Sequence, residues 1–171
     1  MLIIEDGTGV DDADSFVTIA QARTYATSYG LTLPVDDIEL EVALRQGSSY
    51  LGLFDGSLSG SKTDALQPLV YPRVDSYLIS GRVKTPIPDS FIPTQIKHAN
   101  IIAAETYGAG DDVRANDDGS SIASEAVSGA VSVSYFDNGK TGGSIEITAA
   151  VDAMKPLFSS YNSFSIPHKR V

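Results

Sequence analysis

Apolar residues recur along the chain at two spacings, and each spacing predicts elements. The strongest helical signal covers 93–107, Pro-Thr-Gln-Ile-Lys-His-Ala-Asn-Ile-Ile-Ala-Ala-Glu-Thr-Tyr. At about 100° per residue, Ile96, Ala99, Ala103 and Tyr107 share one face with Ile102 on its flank, and Lys97, His98 and Glu105 lie opposite. Pro93 suits a first-turn position, where a missing N–H costs nothing, and Gly108 and Gly110 supply the stop. Two alanines in mid-face admit a close neighbour, so this is expected to be a central helix with partners around it. Ile101 falls among the polar positions. It reads either as a scattered surface apolar residue, which is common, or as a contact with another subunit.

Two earlier helices are expected to flank it. Thr18-Ile-Ala-Gln21 forms a capping box, after which Ile19, Ala22, Tyr25, Ala26 and Tyr29 line one side up to Gly30. Asp36-Asp-Ile-Glu39 is a second capping signal whose acids suit the positive helix end. Leu40, Leu44, Gly47 and Leu51 then continue to about Leu53. A mid-helix glycine costs roughly 1 kcal/mol relative to alanine, which points to close helix packing at Gly47. Residues 148–158 predict a last short helix with Val151, Met154, Leu157 and Phe158 inward, bent or ended by Pro156.

The period changes to two in 122–136, where Val131, Val133 and Tyr135 alternate with serines and predict a strand with one buried face. Its hairpin closes either at Ser128-Gly129 or at Asn138-Gly139, the second pairing 131–136 with 144–148. Residues 2–17 read as an irregular lead-in with a short extended piece at 2–5. In 55–92 regular patterning fails, because Gly56, Gly60, Pro68, Pro72, Gly81, Pro86 and Pro88 forbid a long helix. An insert of this length is usually functional or inter-subunit, and Arg73, Arg82 and Lys84 make it mildly basic. The expected fold is mainly α: a small bundle of three to four helices with a β-hairpin, a long irregular loop and a C-terminal extension. Residues 1–158 are expected to form one domain and 159–171 an extended tail.

Composition narrows the function. The chain has 171 residues, 42% of them hydrophobic, which suits one globular domain. It lacks cysteine, which excludes disulfides, thiol catalysis and thiolate metal sites. No apolar run is long enough to span a bilayer, Met1-Leu-Ile-Ile is too short for a signal peptide, and no membrane partner is expected. Net charge is -10, concentrated in 1–41, where Glu5, Asp6, Asp11, Asp12, Asp14, Asp36, Asp37, Glu39 and Glu41 face Arg23 alone. Such a stretch repels phosphate, which argues against a generic nucleic-acid binder.

Catalytic and ligand motifs fail on chemistry. His98, on the polar helix face, and His168, in the tail, suggest no triad, and His98 reads as a solvated surface residue. Gly56-Ser-Leu-Ser-Gly60-Ser-Lys62-Thr63 has the wrong spacing for a phosphate loop, and Asn138-Gly139-Lys140-Thr141 lacks its first glycine. Arg114-Ala-Asn116-Asp-Asp118-Gly119 with Glu125 falls in calcium-loop register, but a guanidinium at the first ligand position cannot coordinate the ion. Asp11, Asp12 and Asp14 read as solvated loop acids. No enzyme activity, cofactor or metal is expected.

Five stretches in order carry a family resemblance: Ile4-Glu-Asp-Gly-Thr-Gly-Val10 with Asp14-Ser-Phe-Val-Thr-Ile-Ala-Gln-Ala22 and Tyr25; Ala43-Leu-Arg45 with Tyr50-Leu51; Tyr71-Pro-Arg73 with Ile92-Pro-Thr-Gln-Ile-Lys97; Ser124-Glu-Ala-Val-Ser-Gly129 through Tyr135; and Val151-Asp-Ala-Met-Lys-Pro-Leu157. Together they resemble tailed-bacteriophage head–tail connector (adaptor, or head-completion) proteins. That group is also labelled DnaT-like single-stranded DNA-binding, a label the acidic composition does not favour. The resemblance implies a structural virion protein at the head–tail neck, present in the host cytoplasm during assembly. It implies a dodecameric ring bound to the portal protein and to the next neck or tail completion protein, with genomic DNA passing through the channel without sequence-specific binding. Tyr71 stands where relatives commonly have Trp, and 159–171 extends past where many end. The portal and subunit interface is accordingly expected at Ile101, Tyr71, Arg73, Arg82, Lys84, Phe164, Ile166, His168, Lys169 and Arg170. The second reading, a single-stranded DNA-binding replication accessory, needs aromatics beside basic residues. Tyr71/Arg73 and Tyr77/Arg82 come closest.

Overall fold

The structure, a computed structural model, describes residues 1–110 and 147–159, together with the backbone of 124–127 and 131–134. The chain divides into two compact units, Met1–Asp111 with Ile147–Val171, and Asp112–Glu146. The fold is mainly α with small two-stranded antiparallel sheets.

In the first unit, α1 (Ile19–Tyr29) opens on the expected capping box at Thr18 and Gln21 and ends on Gly30 in the left-handed region. Helix α2 (Asp37–Gly52) opens on Asp36, whose carboxylate accepts from the N–H groups of Ile38 and Glu39. Two short strand pairings follow: β1 (Ser61–Lys62) with β2 (Arg73–Val74), and β3 (Tyr77–Ser80) with β4 (Val83–Pro86). Helix α3 (Thr94–Gly108) is the central helix, packing most extensively on α2, then on α4 (Thr148–Met154), and touching α1.

Contact on several sides explains why α3 buries Ile96, Ala99, Asn100, Ile101, Ala103 and Ala104, more than half its circumference. The sequence pattern assigned one face, and Ile101 is the casualty. It is 2% exposed and packs with Val17, Ala22, Leu40, Ala43, Leu44 and Ala104. It is therefore a core residue, because α1 and α2 close over the flank of α3 that the pattern left polar.

Asn100, fully buried, holds three elements together. Its amide nitrogen donates to the Leu44 carbonyl at 2.9 Å, and its oxygen accepts from the Ser15 hydroxyl and the Phe16 N–H. The lead-in is organised in the same way: the buried Glu5 carboxylate accepts from the N–H groups of Gly7, Gly9 and Val10 at 2.8–3.0 Å. Gly7 sits at φ +107 with its absent Cβ pointing at the Ser90 carbonyl, so only glycine fits there.

The 55–92 segment carries more order than its composition suggests. Strands β3 and β4 form a hairpin through Gly81-Arg82, with positive φ at Gly81 alone of the two, the type II′ pattern. Leu69, Val70 and Tyr71 are buried. In the second unit, β5 (Ser124–Val127) pairs with β6 (Val131–Ser134), with Val127 opposite Val131, so the hairpin closes across 128–130 rather than at Asn138-Gly139. Thr148 begins α4, the last short helix expected from 148 onward, and the helix gives way to a 3-10 turn at Lys155–Leu157, where Pro156 was expected to end it.

Candidate nucleic-acid interface

Most of the acids that dominate the N-terminal sequence have partners of their own. Arg45 pairs with Asp14 at 2.7 Å and with Glu41 at 3.3 Å. The Met1 ammonium holds the Glu41 carboxyl below its usual value. Arg23 pairs with Asp37 and donates to the Val35 carbonyl, Asp36 caps α2, and Asp6 accepts from Thr8. These acids are fixed in place but keep their negative charge, so a nucleic-acid interface has to lie where acids are few.

The cations sort the same way. Arg23, Arg45, Lys62, Arg73 and Lys155 each pair with a carboxylate. Among the described residues Arg82, Lys84 and Lys97 have none within ion-pair reach.

Arg82 and Lys84 lie exposed on the β3–β4 hairpin, whose residues 76–88 include no acid. Residues facing each other across an antiparallel ribbon share a face, which puts Tyr77, Ile79, Lys84 and Pro86 together. The Lys84 ammonium stands 4.4 Å from the Tyr77 ring centre, a cation–π contact, and 3.3 Å from its hydroxyl. The Tyr77 hydroxyl also donates to the Ser159 carbonyl, fixing the ring.

Lys97 precedes His98, and His98 belongs to an aromatic cluster. The Tyr25 and Tyr29 rings of α1 stack with centroids 4.2 Å apart, and His98 of α3 lies 4.3 Å from Tyr25. Half-burial under Tyr25 pushes the His98 imidazole below its ordinary value, and burial raises the Tyr25 phenol. His98 is thus half-buried with its ring tilted 38° to that of Tyr25, instead of the freely solvated residue expected. Tyr29 keeps 65% of its surface exposed. Helix α1 carries no acid, and the single acid of α3, Glu105, accepts from the Thr32 N–H. This is an acid-poor face on an acidic chain.

Tyr71 and Arg73 are structural. Tyr71 is wholly buried, which pushes its phenol up to about 12. Arg73 is 4% exposed and donates to the carbonyls of Ser59, Val70 and Gly60 and to the Asp55 carboxylate. It staples the loops around β1 and β2 and has no donor left for a partner's face. Phe164, Ile166, His168, Lys169 and Arg170 lie outside the described residues.

A small helical domain with a cation–aromatic pair on an acid-free hairpin and a separate cluster of aromatic rings on α1 and α3 defines the class. The family model described as "Putative DnaT-like ssDNA binding protein" matches residues 1–171. The chain belongs to that family. No curated protein and no solved structure matches it. The match corrects the expectation of a head–tail connector: the family is described by single-stranded DNA, and nothing in that description supports a portal-bound ring, a neck or tail partner, or a virion channel.

Proposed function

We propose that the chain binds single-stranded DNA as an accessory protein rather than an enzyme. One observation carries this reading: Lys84, left without a carboxylate partner among the described residues, lies over the Tyr77 ring on a hairpin that also carries Arg82 and no acid, while α1 and α3 present the Tyr25, Tyr29 and His98 rings. Sequence-independent binding of single strands uses this combination, cations for the backbone and flat rings on which bases stack. In this reading Tyr29 offers its free ring to a base, extending a stack already built by Tyr25 and His98. Arg82 and Lys84 hold phosphates. No base edge is read, so binding is tolerant of sequence. The full-chain family match supports the same ligand class.

Fluorescence anisotropy with a labelled oligothymidine tests it. Three phosphate contacts at roughly 0.7 each give an expected slope of log K against log salt of about -2. Arg82→Ala with Lys84→Ala should flatten that slope by more than half. Tyr29→Ala should weaken binding by about 1–3 kcal/mol and leave the slope unchanged. No binding at low salt, or equal binding by all three chains, overturns the proposal.

A further inference from the structure

The N-terminal end of α2 shows solvent an apolar stripe. Val35, Ile38 and Val42, spaced three and four residues apart, are 90%, 74% and 48% exposed. Ile38 and Val42 share one face of α2, and Val35 extends the apolar surface from just before the N-cap, Asp36. The stripe borders two adjacent grooves of about 350 and 500 Å³, both lined by Pro34 and Gly108. Tyr107 and Ala43 floor the first, and Leu33 lies in the second. Glu39 and Glu105 are the charged residues lining them, and no Lys, Arg or His does so. Arg23, at one end, is tied to Asp37 and to the Pro34 and Val35 carbonyls.

We infer that this grooved face receives a basic amphipathic helix from a partner protein. Its apolar residues, repeating every three or four positions, would sit against Ile38, Val42 and Pro34, and its Lys or Arg residues would face Glu39 and Glu105. Helix-in-groove recognition uses this arrangement of apolar anchors within a charged rim. Charge decides the occupant. Nucleic acid is repelled by the lining acids. A second copy of this chain, with net charge -10, would bring Glu39 and its neighbours Asp36 and Glu41 against their own images. A cationic helix alone matches both the stripe and its rim. The inference stands apart from DNA binding, since it uses none of the same residues.

The probe is an 18-residue amphipathic peptide of leucine and lysine, compared with a scrambled peptide of identical composition. It is titrated into the ¹⁵N-labelled full chain. The amphipathic peptide is expected to shift amides around Ile38, Val42 and Gly108 and to bind at least tenfold tighter than the scrambled one. Ile38→Ser, a neutral change at an exposed first-turn position (74% exposed), should lower affinity several-fold and leave the remaining spectrum intact. Equal binding of both peptides, unchanged affinity in Ile38→Ser, or shifts confined to other acids overturns the proposal. So does a sedimentation mass showing a dimer that Ile38→Ser dissociates, which would assign the face to a second copy.

Discussion

Two glycines of α2 should respond to alanine in opposite directions. An alanine at Gly47 would place its Cβ 2.7 Å from the Asn100 carbonyl oxygen, 2.9 Å from the Asn100 amide nitrogen and 3.1 Å from the Ala104 nitrogen. Two of these are backbone atoms of α3, and the third is held by its bond to the Leu44 carbonyl. None can swing aside, so α2 and α3 must separate by several tenths of an ångström. Overpacking of this kind costs about 1–3 kcal/mol, and straining the Asn100 hydrogen bond adds about 1 kcal/mol. The gain in helix propensity returns about 1 kcal/mol. Net destabilisation should be about 1–3 kcal/mol. Gly52, at the end of the same helix, has no heavy atom within 4 Å of its added Cβ, so Gly52→Ala should stabilise by up to about 1 kcal/mol. Equilibrium unfolding in urea separates the two, with an unchanged m-value marking a change in stability alone. If Gly47→Ala stabilises as much as Gly52→Ala, the close α2–α3 approach through Asn100 is wrong.

Other perturbations probe single assignments. Ile101→Asp puts a charge among Val17, Leu40 and Leu44 and should cost at least about 4 kcal/mol; a melt matching the parent would remove Ile101 from the core. Arg73→Ala removes the donor from four carbonyls, while Asp55, part-exposed, keeps Lys62; the expected loss is at least about 2 kcal/mol by urea unfolding, with no change in the salt slope of oligonucleotide binding. Burial lowers the His98 pKa below 6.5, so the unfolded chain takes up this proton first. The contribution is therefore complete above pH 6.5 and is lost as pH falls through the lower folded value. An NMR titration of the imidazole with a midpoint at or above 6.5 contradicts the half-buried placement.

What could be read from sequence was local. Thr18 with Gln21, and Asp36, fix helix starts through hydrogen bonds made within a few residues, and both occur as expected. Gly47 announced a close neighbour because a glycine in mid-helix has a cost that packing must offset. The misreadings arise where several elements meet. Ile101 looked exposed because periodicity weighs one face and α3 has partners on more than one. His98 looked solvated because only the fold brings Tyr25 over it. Asn100 and Glu5 gave no signal, since a buried polar residue resembles a surface one until its partners are known. The β3–β4 hairpin was hidden by Pro86 and Pro88, although Gly81-Arg82 between two β-rich runs was a turn signal in plain view. Net charge carried no positional information: it sums the whole chain, whereas residues 76–88 hold Arg82 and Lys84 with no acid.

The most direct test of the account is photocrosslinking of the full chain to an oligothymidine carrying 5-iodouracil, with the crosslinked residues mapped by mass spectrometry. A base stacked on the α1–α3 face predicts crosslinks at Tyr29, with Tyr25 or His98 as minor sites, and their loss when Tyr29 becomes alanine. Crosslinks only at tyrosines elsewhere, or none under conditions where the oligonucleotide is bound, would contradict the proposed interface.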